Sequence, residues 1–284
     1  MKRCDGRLLR SIGPFEKMIP YIMTRRSDAQ VFAKQLICTD KISAYLKEKR
    51  QQGRNIRFLH FFIAIYVRVI AERPYLNRFV MNSRLYERDG IFISMAVKRS
   101  LNDEAEETTV KFSFTGRENV FEVAEIVERK IREGILSSAS SNVDRIASMI
   151  MSLPGKKVLV GILKAMDRHS LLPKLLINVS PFHTSLFFTY LKSINLDYIY
   201  HHLYDFGTTG IFVALGKVKK VPVAEDNAVV VKSCCEIGYT LDERICDGLY
   251  FANSLKLVKK YLEDPWLLEK APADKARTGK VILH

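Results

Sequence analysis

The stretch Tyr239-Thr-Leu-Asp-Glu-Arg-Ile-Cys-Asp-Gly-Leu-Tyr-Phe-Ala252, running on to Leu262-Glu-Asp-Pro265, decides how this chain is read. Asp247 to Leu262 has helical composition, and Glu263-Asp264-Pro265 breaks the helix. Four charged residues, Asp242, Glu243, Arg244 and Asp247, crowd the approach to it. Upstream, Ala228 to Ser233, Gly210 to Leu215, Ser185 to Tyr190 and Leu175 to Val179 read as strands, several of them buried. Val158 to Met166 and Val143 to Leu153 read as helix on either side of Pro154-Gly155.

The first half continues the alternation. Ile56 to Ala71 is the clearest helix, with Phe58, Phe61, Phe62, Ile65 and Val69 at three-four spacing before Glu72-Arg73-Pro74. Asn119 to Glu133 repeats that period, and Ile42 to Gln51 is helical in composition. Val31 to Ile42 and Thr108 to Phe114 alternate as strands, and Asp89-Gly90 predicts a hairpin between Leu85-Tyr86 and Ile91 to Val97. Gly13-Pro14 and Pro20 argue against a helix in the first thirty residues, and Lys270 to Lys280 reads as a polar tail. With neither repeat nor linker, residues 1–284 are expected to form one α/β domain around a large mixed sheet.

Composition narrows the partners. The 284 residues are 48% hydrophobic and 27% charged, ordinary for a globular protein and wrong for a disordered one. The start lacks the apolar run of a secretory signal, and the longest apolar stretch, Leu59 to Val67, is half a membrane span. A cytoplasmic location without membrane association is expected. Five cysteines show no metal-ligand spacing, so no metal is expected. Of the +14 net charge, +9 falls in residues 1–57, an attraction for phosphate-bearing ligands or equally a solvated face. No nucleic-acid-binding motif accompanies it, so nucleic acid is not expected as a partner.

The 239–265 stretch resembles the C-terminal signature of the dihydrolipoamide acyltransferases of 2-oxoacid dehydrogenase complexes, in which Asp-His-Arg-x-x-Asp-Gly leads into a helix ending Leu-Glu-x-Pro. Chloramphenicol acetyltransferase carries a related His-x-x-x-Asp-Gly. Phe62 to Asn77, ending Glu72-Arg-Pro-Tyr-Leu-Asn77, resembles the family's long helix. Arg84 to Val97 resembles the hairpin after that helix, and Val120 to Gly134 the next helix. The similarity spans about residues 15–268. It implies a chloramphenicol acetyltransferase-like two-layer α/β sandwich that assembles as a homotrimer with active sites between subunits. No lipoyl or subunit-binding segment is expected, which leaves a stand-alone protein acting on a small-molecule thioester, coenzyme A or acyl-CoA.

In that family a histidine takes the proton from a thiol or hydroxyl acceptor, which attacks a thioester, while a Ser or Thr hydroxyl stabilises the oxyanion. By resemblance Asp242, Arg244, Asp247 and Gly248 keep their places, but the histidine position is Glu243. A thiol lies about 2 pKa units above histidine and about 4 above glutamate, so proton transfer is uphill by about 3 and about 6 kcal/mol respectively. Burial narrows that gap, whereas a neighbouring Arg244 widens it. Two readings are open: an acyltransferase with a carboxylate base, or a catalytically silent trimeric scaffold with Glu243 in a structural ion pair.

The remaining candidates are also carried by resemblance. Asp247 is expected to bond an N-terminal arginine, Arg25 or preferably Arg26, in Pro20-Tyr-Ile-Met-Thr-Arg-Arg-Ser-Asp-Ala29. The oxyanion hydroxyl falls to Thr189 by counting back from Gly216, or to Ser180 on the strand expected at Ile177-Asn-Val-Ser180. His201 and His202, in Tyr200-His-His-Leu-Tyr-Asp-Phe-Gly207, would face opposite ways on a strand, and one is an alternative base.

Overall fold

The computed structural model describes residues 3–98, 107–136 and 148–272. The start of the expected 143–153 helix and most of the 270–284 tail lie outside the described residues.

A six-stranded mixed sheet crosses both halves of the chain in the order β2 (Gln30–Cys38), β9 (Ala228–Asp242), β8 (Ile211–Glu225), β7 (Leu186–Tyr190), β5 (Ile91–Lys98), β6 (Glu107–Phe114). The β5–β7 and β7–β8 pairs are parallel and the rest antiparallel. β8 and β9 form a long hairpin whose two-residue turn, Asp226-Asn227, takes φ of 49° and 62°, the left-handed pair that matches strand twist. A second sheet, β1 (Gly6–Leu8), β4 (Arg84–Arg88) and β3 (Arg78–Met81), is separate.

Helices cover one face. α3 (Phe58–Glu72) is apolar nearly all round and correspondingly buried, with Phe61, Phe62, Ile63 and Ile65 at 0% exposure. At about 1.5–3 kcal/mol per buried large side chain, this helix dominates the core. It packs beside α4 (Val120–Leu136) and α7 (Gly248–Glu263), while α2 (Asp40–Gln51) touches α7. On the other face a smaller cluster of Phe187, Phe212 and Leu203 is covered by residues 196–204. That segment lies so close to the sheet that a Cβ on Gly238 would stand 2.4 Å from the Ile199 carbonyl oxygen. The two-layer α/β expectation is met.

Three local expectations are corrected. Gly13-Pro14 and Pro20 do not exclude a helix, because α1 (Pro14–Ile22) starts at Pro14, where the N–H is unbonded anyway. Pro20 falls near its end and forgoes one backbone bond. Leu175 to Val179 lies in a helix, α6 (Lys174–Val179), following α5 (Lys156–Arg168); a short apolar run fits either state. Asp89-Gly90 joins strands of different sheets, and the hairpin turn is Asn82-Ser83, both at positive φ, between β3 and β4.

Candidate active site

β9 ends in a tightly determined turn. The Asp242 amide donates to the Gly210 carbonyl and the Glu243 amide to the Ala29 carbonyl, each at 2.9 Å, tying the turn to the neighbouring chain. Arg244 folds back on Asp242: Nε donates to Oδ1 and Nη2 to Oδ2, both at 2.7 Å. Its Nη1 reaches the Met23 carbonyl. Arg26 Nε stands 3.7 Å from Asp242 Oδ2, while Nη1 donates to the Tyr204 and Asp205 carbonyls and Nη2 to Val80. Asp242, Arg26 and Arg244 are 0%, 4% and 7% exposed, so the ion-paired cluster is buried. Removing one member would leave uncompensated charge in the interior.

Glu243, flanked in sequence by Asp242 and Arg244, stays apart from this cluster. The residue is half-buried, and among the described residues its carboxylate has no hydrogen bond or ion pair. Arg244 is therefore not its partner. Asp247 is not the partner of Arg26 either. It is exposed and caps α7, accepting from the Tyr250 amide at 2.8 Å. Gly248 opens that helix, and a side chain there would meet nothing within 4 Å. Arg25 is exposed at the rim of a cavity behind the turn.

The proposed hydroxyls and histidines lie elsewhere. Thr189 is on β7 in register with Ala214, which pairs with Gly238. Ser180 follows α6, not a strand, and its Oγ lies 2.8 Å from His183 Nδ1 and accepts from the Phe182 amide. His201 and His202 stand on irregular backbone with their rings stacked at 4.6 Å, and so do not face opposite ways. His201 also stacks on Phe212 at 3.9 Å and donates from Nδ1 to the His202 carbonyl. Burial holds its pKa below the usual histidine value.

A buried polar relay escaped the sequence reading. Arg3 bridges Asp5 (2.8 Å) and Asp167 (2.9 Å), and Asp167 Oδ2 lies 3.1 Å from His183 Nε2. Burial alone would raise the Asp167 pKa, but His183 and Arg3 outweigh it and hold it low. Burial also pulls His183 below its ordinary value, against the pull of Asp167. Beside it Lys111 Nζ donates to the Ile177 and Ser180 carbonyls, and burial pushes its pKa down to about 7. The arrangement stitches the N-terminal arm to α5 and to the segment after α6. Its members lie up to 164 residues apart in pairing, and no spacing in the sequence announces them.

With this geometry established, the comparisons are specific. Residues 208–269, which include the Asp242–Gly248 turn and α7, match the family model for the 2-oxoacid dehydrogenases acyltransferase (catalytic domain). The fold is shared with a probable dihydrolipoamide acetyltransferase from Listeria monocytogenes 4b F2365 at TM-score 0.57 and 15% identity, covering 90% of this chain and 94% of that one. The cubic core of the pyruvate dehydrogenase multienzyme complex matches at TM-score 0.57 and 12% identity over 92% and 91%. A chloramphenicol acetyltransferase matches at 0.53 and 11% over 90% and 99%. No curated protein matches the chain. The resemblance read from residues 239–265 is thus matched by the family model locally and by the fold over nine-tenths of the chain.

Proposed function

From a chain with the chloramphenicol acetyltransferase-like fold and the family's C-terminal turn, we propose an acyltransferase that uses a carboxylate base. It moves an acyl group from a thioester donor, acyl-CoA, to a thiol or hydroxyl acceptor. The observation that carries this reading is the carboxylate of Glu243, without a partner among the described residues, on a backbone locked by its amide bond to Ala29 and by the adjacent Asp242–Arg244 pair. A silent scaffold with Glu243 in an ion pair predicts the opposite arrangement.

In the reaction the acceptor S–H or O–H gives its proton to Glu243 as its heteroatom bonds the acyl carbon. The tetrahedral intermediate then breaks the thioester C–S bond, and the departing sulfur recovers the proton. Thr189 supplies the oxyanion hydroxyl. Gly238, in line with Thr189 across the sheet, precedes Glu243 by five residues, about 16 Å along an extended strand. At that separation base and hydroxyl are brought together from different copies, and the copy number is the homotrimer that the sequence resemblance implies. The exposed apolar residues Phe15, Met18, Tyr21 and Ile22 of α1 and Val31, Phe32 and Leu36 of edge strand β2 give copies a surface to cover.

Acyl exchange from acetyl-CoA to a panel of thiols tests the activity, with turnover above the buffer rate expected. Absence of exchange with every donor and acceptor would remove it. Light scattering tests the assembly, with a mass three times that of the chain expected and a monomer contradicting the shared site.

A further inference from the structure

Behind the Asp242–Arg244 turn, α5, the Thr24–Arg26 arm and the β3–β4 turn enclose a cavity of about 720 Å³. Its wall is cationic. Lys164 and Arg168 come from α5, Arg25 and Arg26 from the arm, and Arg244 from the turn after β9. The acids on the same wall, Asp167 and Asp205, are already engaged. Asp167 holds Arg3 and His183, and Asp205 accepts from the Arg26 amide. Arg244 is likewise held by Asp242.

Three exposed cations, Arg25, Lys164 and Arg168, are left with no acidic partner among the described residues. Lys164 and Arg168 are four apart on one helix face, a spacing at which like charges repel. Arg168 is in the last turn of α5 and complements the helix dipole; Lys164, one turn earlier, gains little from it. Arg26, only 4% exposed, also lines this cavity, with its Nη groups donating to the Tyr204, Asp205 and Val80 carbonyls and its buried Nε 3.7 Å from Asp242 Oδ2.

We propose that this cavity is a binding site for a small polyanion carrying two or more linked phosphate groups. Arg25, Lys164 and Arg168 neutralise it at the mouth of the cavity. The volume lies in the range of small-molecule sites and far exceeds one phosphate. The phosphates belong either to a coenzyme such as coenzyme A or to a free phosphorylated metabolite; the recognising chemistry is the same. The site stands whether or not Glu243 supports acyl transfer, because binding is read without turnover.

The test is isothermal titration at low and moderate salt with inorganic pyrophosphate and, separately, coenzyme A. The proteins are wild type, Arg25→Ala, Lys164→Ala, Arg168→Ala and, as a control of equal charge, Lys256→Ala on the exposed side of α7. One saturable site per chain is expected, weakened about tenfold by each cavity substitution and unchanged in the control, since a charge-assisted contact has about that effect. Melting temperatures of the variants should match wild type. Coenzyme A binding displaced by pyrophosphate identifies a coenzyme diphosphate, and pyrophosphate binding alone identifies a free metabolite; both support the site. No saturable binding of either probe at millimolar concentration, or a control that weakens binding as much as Lys164→Ala, overturns it.

Discussion

Asp242 and Arg244 close a doubly hydrogen-bonded ion pair, 2.7 Å at each contact, around the single residue Glu243. The pair fixes the backbone on both sides of that residue while taking up the one cation adjacent to it in sequence. A base at this point of the fold is positioned by its neighbours and left electrostatically unclaimed by them.

The two aspartates of the turn should therefore separate sharply in unfolding experiments. Asp242→Asn strands two buried guanidinium groups, Arg26 and Arg244, and is expected to cost about 3–5 kcal/mol. Asp247→Ala removes only an exposed helix cap, at about 0.5–2 kcal/mol. Urea denaturation of both variants measures the difference. A larger loss for Asp247→Ala would restore the pairing expected from the sequence.

That expectation shows where sequence reading reached its limit. The 239–265 stretch and the apolar period of α3 disclosed the fold, because both are local patterns with a single structural solution. Which aspartate receives Arg26 was not local: Asp242 and Asp247 are five residues apart, and only burial at the end of β9 selects the first. The same holds for Arg3 and Asp167, joined by a fold that brings α5 against the N-terminal arm. Ser180 was misplaced on a strand because six residues of α6 are too few to display a helical period.

The two candidate hydroxyls should also part company. Thr189→Val keeps shape and removes the hydroxyl, so turnover should fall about 10²–10³-fold with little change in stability. Ser180→Ala deprives the Phe182 amide and the His183 ring of a partner, so it should cost about 1–3 kcal/mol and leave turnover intact. Exchange assays paired with melting curves on both variants check this, and the reverse pattern would transfer the oxyanion role to Ser180.

Lys111 gives the stability a specific pH dependence. Its folded pKa of about 7 lies below the unfolded value of about 10.4. Between those values the unfolded chain binds the extra proton, so this site's contribution to stability rises with pH. The penalty of burying the charged amine is complete below pH 7 and is relieved as pH climbs toward 10. The unfolding free energy of wild type minus that of Lys111→Met should therefore rise between pH 7 and 9.5, by up to about 1.4 kcal/mol per unit. A difference flat with pH would show that Lys111 titrates normally in the fold.

The central claim, that Glu243 is the working base, is tested most directly by thioester exchange in wild type, Glu243→Gln and Glu243→His. Because the carboxylate has no partner among the described residues, neither substitution should disturb stability, and turnover then reports chemistry alone. Glutamine keeps the size and cannot accept the proton, so the rate should drop by about 10²–10⁴. Histidine, about 2 pKa units nearer the thiol, should sustain or raise it. Equal turnover in wild type and Glu243→Gln would contradict the account and shift the search for the base to His201 and His202.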